Sequence, residues 1–404
     1  MSDLHPDLVA LDRFSSTGLA QAATAADVAP ETTTSTPAKP VFFSLVDQLR
    51  GLAALLVVYS HLVTNFLVER SMQWPVDDVV RRFALSPLRA ELNFGWYGVA
   101  VFFFISGFVV TASAMTDSVR VFAVRRLLRV YLPVTATVVL VVLAASSGVD
   151  VYGIEVAPSA VQVLANITLA NYVLVGQPIL VSVGWTLAIE VVFYLLVAVL
   201  IPLLRARPAI APAIILLVCF AFVQAAGAFP GSPELARLAS SVAFVPLLVL
   251  GQVVYLAHHR SISPLLTAVL GTGAWLTYVI GMEETSPLFS GPARTFLVNA
   301  ALALAVFVVV VLLEGRLRPS RLLTIAAKRS YSLYLLHVPV GYSLLRYLVV
   351  EAHVSYTVAL PVAIIAVTLA VELVYRFVER PSVRLGRYLT RPRSAVGRVP
   401  AVQG

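Results

Sequence analysis

Charge is scarce in this chain. Asp, Glu, Lys and Arg make up 12% of its 404 residues, about half the share of a soluble domain, while 59% are hydrophobic. Water is therefore not the solvent of most of its surface, and an all-α polytopic membrane protein is the expected class. Cysteine is scarcer still. Cys219 stands alone in an apolar run, which excludes an intramolecular disulfide and a cysteine-built metal cage; no metal site is expected. The start Met1-Ser2-Asp3-Leu4-His5-Pro6 lacks a basic stretch followed by an apolar core, so no cleavable signal peptide is expected. Residues 1–40 are rich in Ala, Thr, Ser and Pro and show no periodicity, the composition of a flexible tail. The net charge of +8 is not a nucleic-acid signature here, because membrane proteins gather Lys and Arg in their cytoplasmic loops. The lipid bilayer is the expected partner, and nucleic acid is not.

What the chain does have is a series of long apolar segments. Ten are long enough, or nearly so, to cross about 30 Å of hydrocarbon: 44–67, 95–116, 130–147, 183–204, 209–227, 238–257, 264–281, 294–314, 330–349 and 356–378. One more, 160–178, is ambiguous. If it spans, every later loop inverts, and Arg205, Arg207 and the run from Arg316 to Arg329 face outward. If it is interfacial or re-entrant, those groups join Arg120 to Arg129 and the residues from Arg376 onward on one side. The outer loops then hold Asp150, Glu155, Glu283 and Glu284. The positive-inside bias favours ten spans with both termini cytoplasmic; an eleven-span arrangement is the alternative.

The first span carries an arginine and a histidine eleven residues apart. At about 100° per residue, that step returns to within roughly 20°, so Arg50 and His61 share a helix face, and His61 sits about 16 Å deeper. Asp47 and Asn65 extend the stripe. An ionisable side chain at that depth is costly unless paired or wet, which makes it a functional candidate by default. The plainer reading is a histidine bonded to a neighbouring helix.

Further chemistry lies in later spans. Segment two reads Gly95-Trp96-Tyr97-Gly98-Val99 through Ser106-Gly107-Phe108. Its small residues suit close approach of another helix or a ligand, with helix packing the simpler use of the glycines. Ser106 has no nucleophile-elbow pattern around it. Next come Arg120 and Arg125-Arg126-Leu127-Leu128-Arg129, where Arg126 and Arg129 lie three apart on one face. Guanidinium forks suit the phosphates of a nucleotide cofactor, and equally a lipid headgroup. Segment four opens Trp185-Thr186-Leu187-Ala188-Ile189-Glu190 and continues to Tyr194, with Glu190 and Tyr194 four apart. A buried Glu190 needs a partner, His61 or Arg50 from another helix, or else it is a structural hub. Segment nine, Ser330 to Pro339, holds a second intramembrane histidine, His337, and Pro339 should loosen the helix beyond it. In the last span, Glu379-Arg380-Pro381 should stop the helix at the proline.

Together these stretches resemble the membrane-bound acyltransferase-3 family, whose members O-acylate sugars, lipids and antibiotics. The matching pieces are Asp47-Gln48-Leu49-Arg50-Gly51, the Arg50-to-His61 spacing, Gly98-Val99 to Phe108, Arg126-x-x-Arg129, Trp185 to Tyr194, Ser330 to His337 and Glu379-Arg380-Pro381. They fall in the family's order over residues 42–385. Gln48, Ala100 and Val191 depart from common family residues. The resemblance implies that His61 is catalytic, that Arg50 supports it or the donor, and that Arg126 and Arg129 meet acyl-CoA from the cytoplasm. Homologues often carry a C-terminal hydrolase-like domain. Here a transmembrane domain over 41–381 is followed only by the basic tail 382–404, too short to fold alone, so any esterase step is expected of another protein.

The implied reaction is ester formation from a thioester. A hydroxyl needs a base, and imidazole suits neutral pH. His61 is the expected base, with Asp47 or Glu190 orienting it; an acyl-histidine intermediate is the alternative. Arg50, Arg126 and Arg129 are the expected donor-binding residues, and Asp47, Ser106, Trp185, Tyr194 and His337 the supporting ones. No permanently bound cofactor is expected: acyl-CoA, acetyl-CoA first, is a substrate. The expected acceptor is a cell-envelope glycan or glycolipid, then a secreted macrolide-type metabolite, at a bacterial inner membrane. A transporter relaying protons through His61, Glu190 and His337 is the rival class, against which the chain shows no internal repeat. A sensor without chemistry leaves the Arg50–His61 pair unexplained.

Overall fold

Ten helices long and apolar enough to cross a membrane carry the fold, the number expected. The computed structural model describes residues 43–391, apart from 86–92, 152–153, 155–157, 175–176, 230 and 286–291. The expected tail 1–40, Glu155 and residues 392–404 lie outside the described residues. The spans are α1 (Ser44–Glu69), α2 (Phe94–Thr116), α3 (Val119–Ser146), α4 (Ser182–Ala206), α5 (Ile210–Ala228), α6 (Pro233–His258), α7 (Pro264–Thr285), α8 (Ala293–Leu312), α9 (Arg321–Glu351) and α10 (Tyr356–Leu389). Among the described residues the only β feature is an isolated bridge between Val151 and Ile154.

The hub of the bundle is α2, which packs on α1, α4, α6 and α8. Lipid tails are as apolar as leucine, so helices associate through close van der Waals fit rather than hydrophobic burial. A Cβ on Gly107 would overlap the Leu248 carbonyl, and one on Gly251 the Phe104 carbonyl. These two glycines let the α2 and α6 backbones touch, beside the edge contact of Phe108 on Tyr255, 5.2 Å between centroids. Alanine at either position overpacks the seam, at a cost of about 1–3 kcal/mol. Outward side chains such as Leu143, Leu195, Val199 and Leu369 are exposed, as a lipid-facing surface requires.

Helix ends are satisfied by groups distant in sequence. The N–H groups of Ser44 and Leu45 donate to the Glu314 carboxylate at 2.8 and 2.9 Å, so an acid from beyond α8 caps α1. Asn93 caps α2, accepting from Gly95 N and Trp96 N at 2.8 and 3.2 Å, while its own N–H donates to Asn299 Oδ1 at 3.0 Å.

Segment 160–178 does not span. It forms a short helix, Ala160–Ile167, then turns through Leu169 at φ +62° into a single 3₁₀ turn, Ala170–Tyr172. Asn166 staples the fold-back: its Nδ2 donates to Pro178 O and its Oδ1 accepts from Leu180 N, both at 2.9 Å.

Two boundaries differ from expectation. The basic stretch after α2 is not a turn. Ser118 caps a helix that runs from Val119, so Arg120 to Arg129 ride on the first turns of α3. Hydropathy penalises arginine, but arginine is a good helix former. Pro381 does not end α10 either. A π turn, Tyr375–Glu379, precedes a helix Arg380–Leu389 that packs on α3 and extends the folded region beyond residue 381. Proline clashes with the carbonyl four residues back and lacks an N–H, and the widened turn accommodates both. The same device occurs at Pro339, where α9 loosens into a π turn at His337–Tyr342 as expected. Another widens α1 at Ser60–Asn65.

Candidate active site

Two chambers open inside the bundle along α1. The first, of about 70 Å³, is lined by Arg50, Ser106, Arg126, Arg129, Glu190, Tyr194, Tyr331 and Tyr334. The second, of about 190 Å³, is lined by Ser60, His61, Asn65, Glu69, Asn93, Trp96, Ser182, Trp185, Tyr334 and Tyr342. Arg50 and His61 thus both face the bundle interior, but at different levels and in different cavities. Tyr334 belongs to both linings, and its hydroxyl is 3.0 Å from Thr186 Oγ1.

The arginine chamber is built from residues that hold one another. Arg50 pairs with Asp47 one helical turn earlier and donates to Ala327 O at 3.3 Å, while its Nε is buried without a protein partner. Arg126 donates to Val109 O at 3.1 Å and Ser113 Oγ at 2.7 Å. Glu190 accepts from the Ser106 hydroxyl and, at 2.8 Å, from the Tyr194 hydroxyl. The i, i+4 pairing of Glu190 with Tyr194 follows from helix spacing; the Ser106 bond comes from α2 and does not. Arg129 lines the same space with no hydrogen bond or ion pair among the described residues.

The histidine chamber is less charged. His61 Nδ1 lies 3.0 Å from Val57 O and 3.2 Å from His337 Nε2. His337 Nδ1 lies 3.1 Å from Leu333 O. Carbonyl oxygens only accept, so both Nδ1 atoms carry the hydrogens, and the lone pair of neutral His61 sits on Nε2. His337 Nε2 then accepts from His61 Nδ1–H. The expected carboxylate partner of His61 is not found: Asp47 is taken by Arg50, and Glu190 by Ser106 and Tyr194. A second imidazole stands where a carboxylate was expected. The rings are 5.0 Å apart.

The rest of this wall combines aromatic faces with polar groups. Trp185 lies 5.8 Å from Trp96 and 5.2 Å from Phe244, ring centre to ring centre. The Tyr342 hydroxyl donates to Glu69, and Arg70 donates to Glu69 at 3.3 Å and to Tyr342 at 3.0 Å. Ser182 Oγ is buried without a protein partner. Sequence reasoning had not singled out Tyr334, Glu69, Asn93 or Trp96 as site residues. Tyr334 carried a usable signal, three residues before His337 on the same face. Glu69 and Asn93 carried none, since loops and other helices bring them here.

Every expected site residue therefore falls in one chamber or on its wall. Arg50, Ser106, Arg126, Arg129, Glu190 and Tyr194 gather in one, His61 and Trp185 in the other, with Asp47 and His337 directly behind Arg50 and His61. No curated protein and no solved structure matches the chain. The model of a family described as an acyltransferase domain does match, over residues 44–376, which takes in nine helices whole and most of the tenth. The chain belongs to the acyltransferase-3 family of membrane proteins and is an acyltransferase.

Proposed function

We propose that this enzyme moves an acyl group, acetyl in the simplest case, from acyl-CoA to a hydroxyl of a cell-envelope glycan or glycolipid at a bacterial inner membrane. The observation that carries this reading is the hydrogen-bond pattern of His61. Nδ1–H is occupied by Val57 O and His337, and Nε2, without a protein partner, belongs to a residue lining a polar, indole-walled cavity. His61 Nε2 takes the proton of the acceptor hydroxyl as its oxygen attacks the thioester carbonyl. The C–S bond breaks, and the imidazolium returns the proton to the departing thiolate, giving ester and free CoA. While charged, the ring keeps both acceptors on Nδ1–H. The donor enters through the arginine chamber, whose cations match its phosphates and whose buried Arg50 Nε has an unfilled bond to give.

The test is turnover of purified full-length protein with acetyl-CoA and an envelope glycolipid extract. His61→Ala should lower ester formation by about 10²–10⁴-fold, the range of a lost general base, with acetyl-CoA affinity essentially kept. Near-normal turnover in that variant removes His61 from the chemistry. Comparing lipid and glycan mass spectra of a deletion strain identifies the acceptor; an acyl group missing from a secreted metabolite instead would redirect it.

Both termini face the cytoplasm in this reading, which places Glu283 outside and Arg205 inside. In a Cys219→Ala background, a cysteine at Glu283 should react with an impermeant thiol reagent from outside, and one at Arg205 should not. The reverse pattern inverts the topology.

A further inference from the structure

The helix beyond Pro381 forms one wall of a cavity outside both chambers. This groove, of about 330 Å³, lies between the start of α3 and the last turns of α10; its cations are Arg125, Arg126, Arg129 and Arg387. Gly386 sets the spacing, since a Cβ there would lie 3.6 Å from Arg125 Cα. The helix is fastened at both ends. Glu379 accepts from Ser332 N and Oγ at 3.2 and 2.5 Å, and Arg125 Nε donates to Thr390 Oγ1 at 3.0 Å.

The four cations are not equivalent. Arg125 is neutralised by Asp117, which takes two bonds from its Nη1 at 3.0 and 3.2 Å. Arg126 is fixed by Val109 O and Ser113 Oγ. Arg129 and Arg387 have no hydrogen bond or ion pair to protein among the described residues, and Arg387 is exposed. Two unpaired guanidiniums facing one groove, beside a single acid already engaged, call for a ligand with more than one anionic group. The groove shares Val109, Arg126 and Arg129 with the arginine chamber. A ligand held here by its charges can therefore send an uncharged arm inward toward Tyr334. CoA has that shape: a diphosphate next to the pantetheine arm, and a separate 3′-phosphate on the ribose at its far end.

We infer that Arg387 on the C-terminal helix binds the 3′-phosphate of CoA, while Arg126 and Arg129 at the shared mouth hold the diphosphate. This rests on acyl-CoA being the donor. The helix after the last span is then part of the nucleotide site, and the protein distinguishes CoA from carriers that end in pantetheine phosphate alone.

The test is equilibrium binding of acetyl-CoA and of acetyl-3′-dephospho-CoA to the purified full chain in neutral detergent. Wild type should bind acetyl-CoA about tenfold or more tightly than the dephospho form, the scale of one charge-assisted contact. Arg387→Ala should lose that preference by weakening acetyl-CoA alone; its unchanged binding of the dephospho donor shows that the variant is folded. Arg387→Lys should fall between, and Arg384→Ala, on the same helix but outside the groove, should match wild type. Equal weakening of both donors by Arg387→Ala, or a wild type indifferent to the 3′-phosphate, overturns the inference while leaving the donor reading intact. If Arg387→Ala binds both donors normally but partitions less onto phosphatidylglycerol vesicles, the phosphate it meets is a lipid's, and the inference also fails. A wild type that binds neither donor removes the donor reading and this inference together.

Discussion

The two chambers solve opposite problems with the same helices. In the arginine chamber, charge is abundant and held in place: Arg50 by Asp47, Arg126 by a carbonyl and a hydroxyl, Glu190 by Ser106 and Tyr194. Such a lattice is rigid before a ligand arrives, and rigidity in a low-dielectric setting favours binding a fixed pattern of anions. In the histidine chamber the reactive candidate is backed by a neutral ring and a carbonyl, not by a carboxylate. An acid at that position would stabilise the protonated ring, and the base would be harder to return to its neutral form in a site with little water. Binding and proton transfer are thus kept in different electrostatic surroundings, with the Tyr334 side chain as the shared wall.

That division predicts that variants sort by chamber, and the largest effect tests it most directly. Arg126→Ala should weaken acetyl-CoA binding by about 1.5–3 kcal/mol, the worth of a charged hydrogen bond, while turnover at saturating donor stays close to wild type. Lysine should restore only part of the loss. Titration of the donor alongside kcat decides the matter: a fall in kcat equal to the fall in kcat/KM would dissolve the distinction between chambers.

His337→Ala is the converse, with a smaller effect. Removing one acceptor from His61 Nδ1–H should lower kcat about tenfold, roughly 1.4 kcal/mol, and leave donor KM unchanged. A changed KM with intact kcat would mean that His337 serves packing rather than the ring beside it. The smallest effect is expected at the dividing wall. Tyr334→Phe loses the bond to Thr186, worth about 0.5–1.5 kcal/mol of stability, and keeps the ring that separates the cavities. Its thermal midpoint in detergent should fall slightly while the ratio of acyl transfer to acyl-CoA hydrolysis holds. Tyr334→Ala should raise the hydrolysis share, and an unaltered ratio there would show that the wall does not separate water from thioester.

Much of this was legible in the sequence, for identifiable reasons. Span count follows from hydropathy, and the one ambiguous segment, 160–178, was read correctly because inverting the later loops would have put Arg205 and Arg316 to Arg329 on the wrong side. The failures share a cause. Arg120 to Arg129 and the stretch past Pro381 were read as ends of helices because charge and proline lower a hydropathy average, although neither prevents a helix outside the hydrocarbon. In the site, contacts within a helix were readable, as Asp47 with Arg50 and Glu190 with Tyr194 show. Contacts between helices were not. The spacing of Arg50 and His61 fixes a shared face but says nothing of depth-dependent partners, so the pairing of His61 with His337, and of Glu190 with Ser106, had to come from the fold.

The widened turns at Ser60–Asn65 and His337–Tyr342 make this site unusually sensitive to chain length. A π turn holds one residue more than an α turn, so deleting a single residue from either would let regular winding resume and rotate all that follows by about 100°. In α1 the arginine chamber would be untouched, while Asn65 and Glu69 would turn away from the cavity they now line. Loss of one amino acid would thus uncouple two sites that share a helix, where most single substitutions would not.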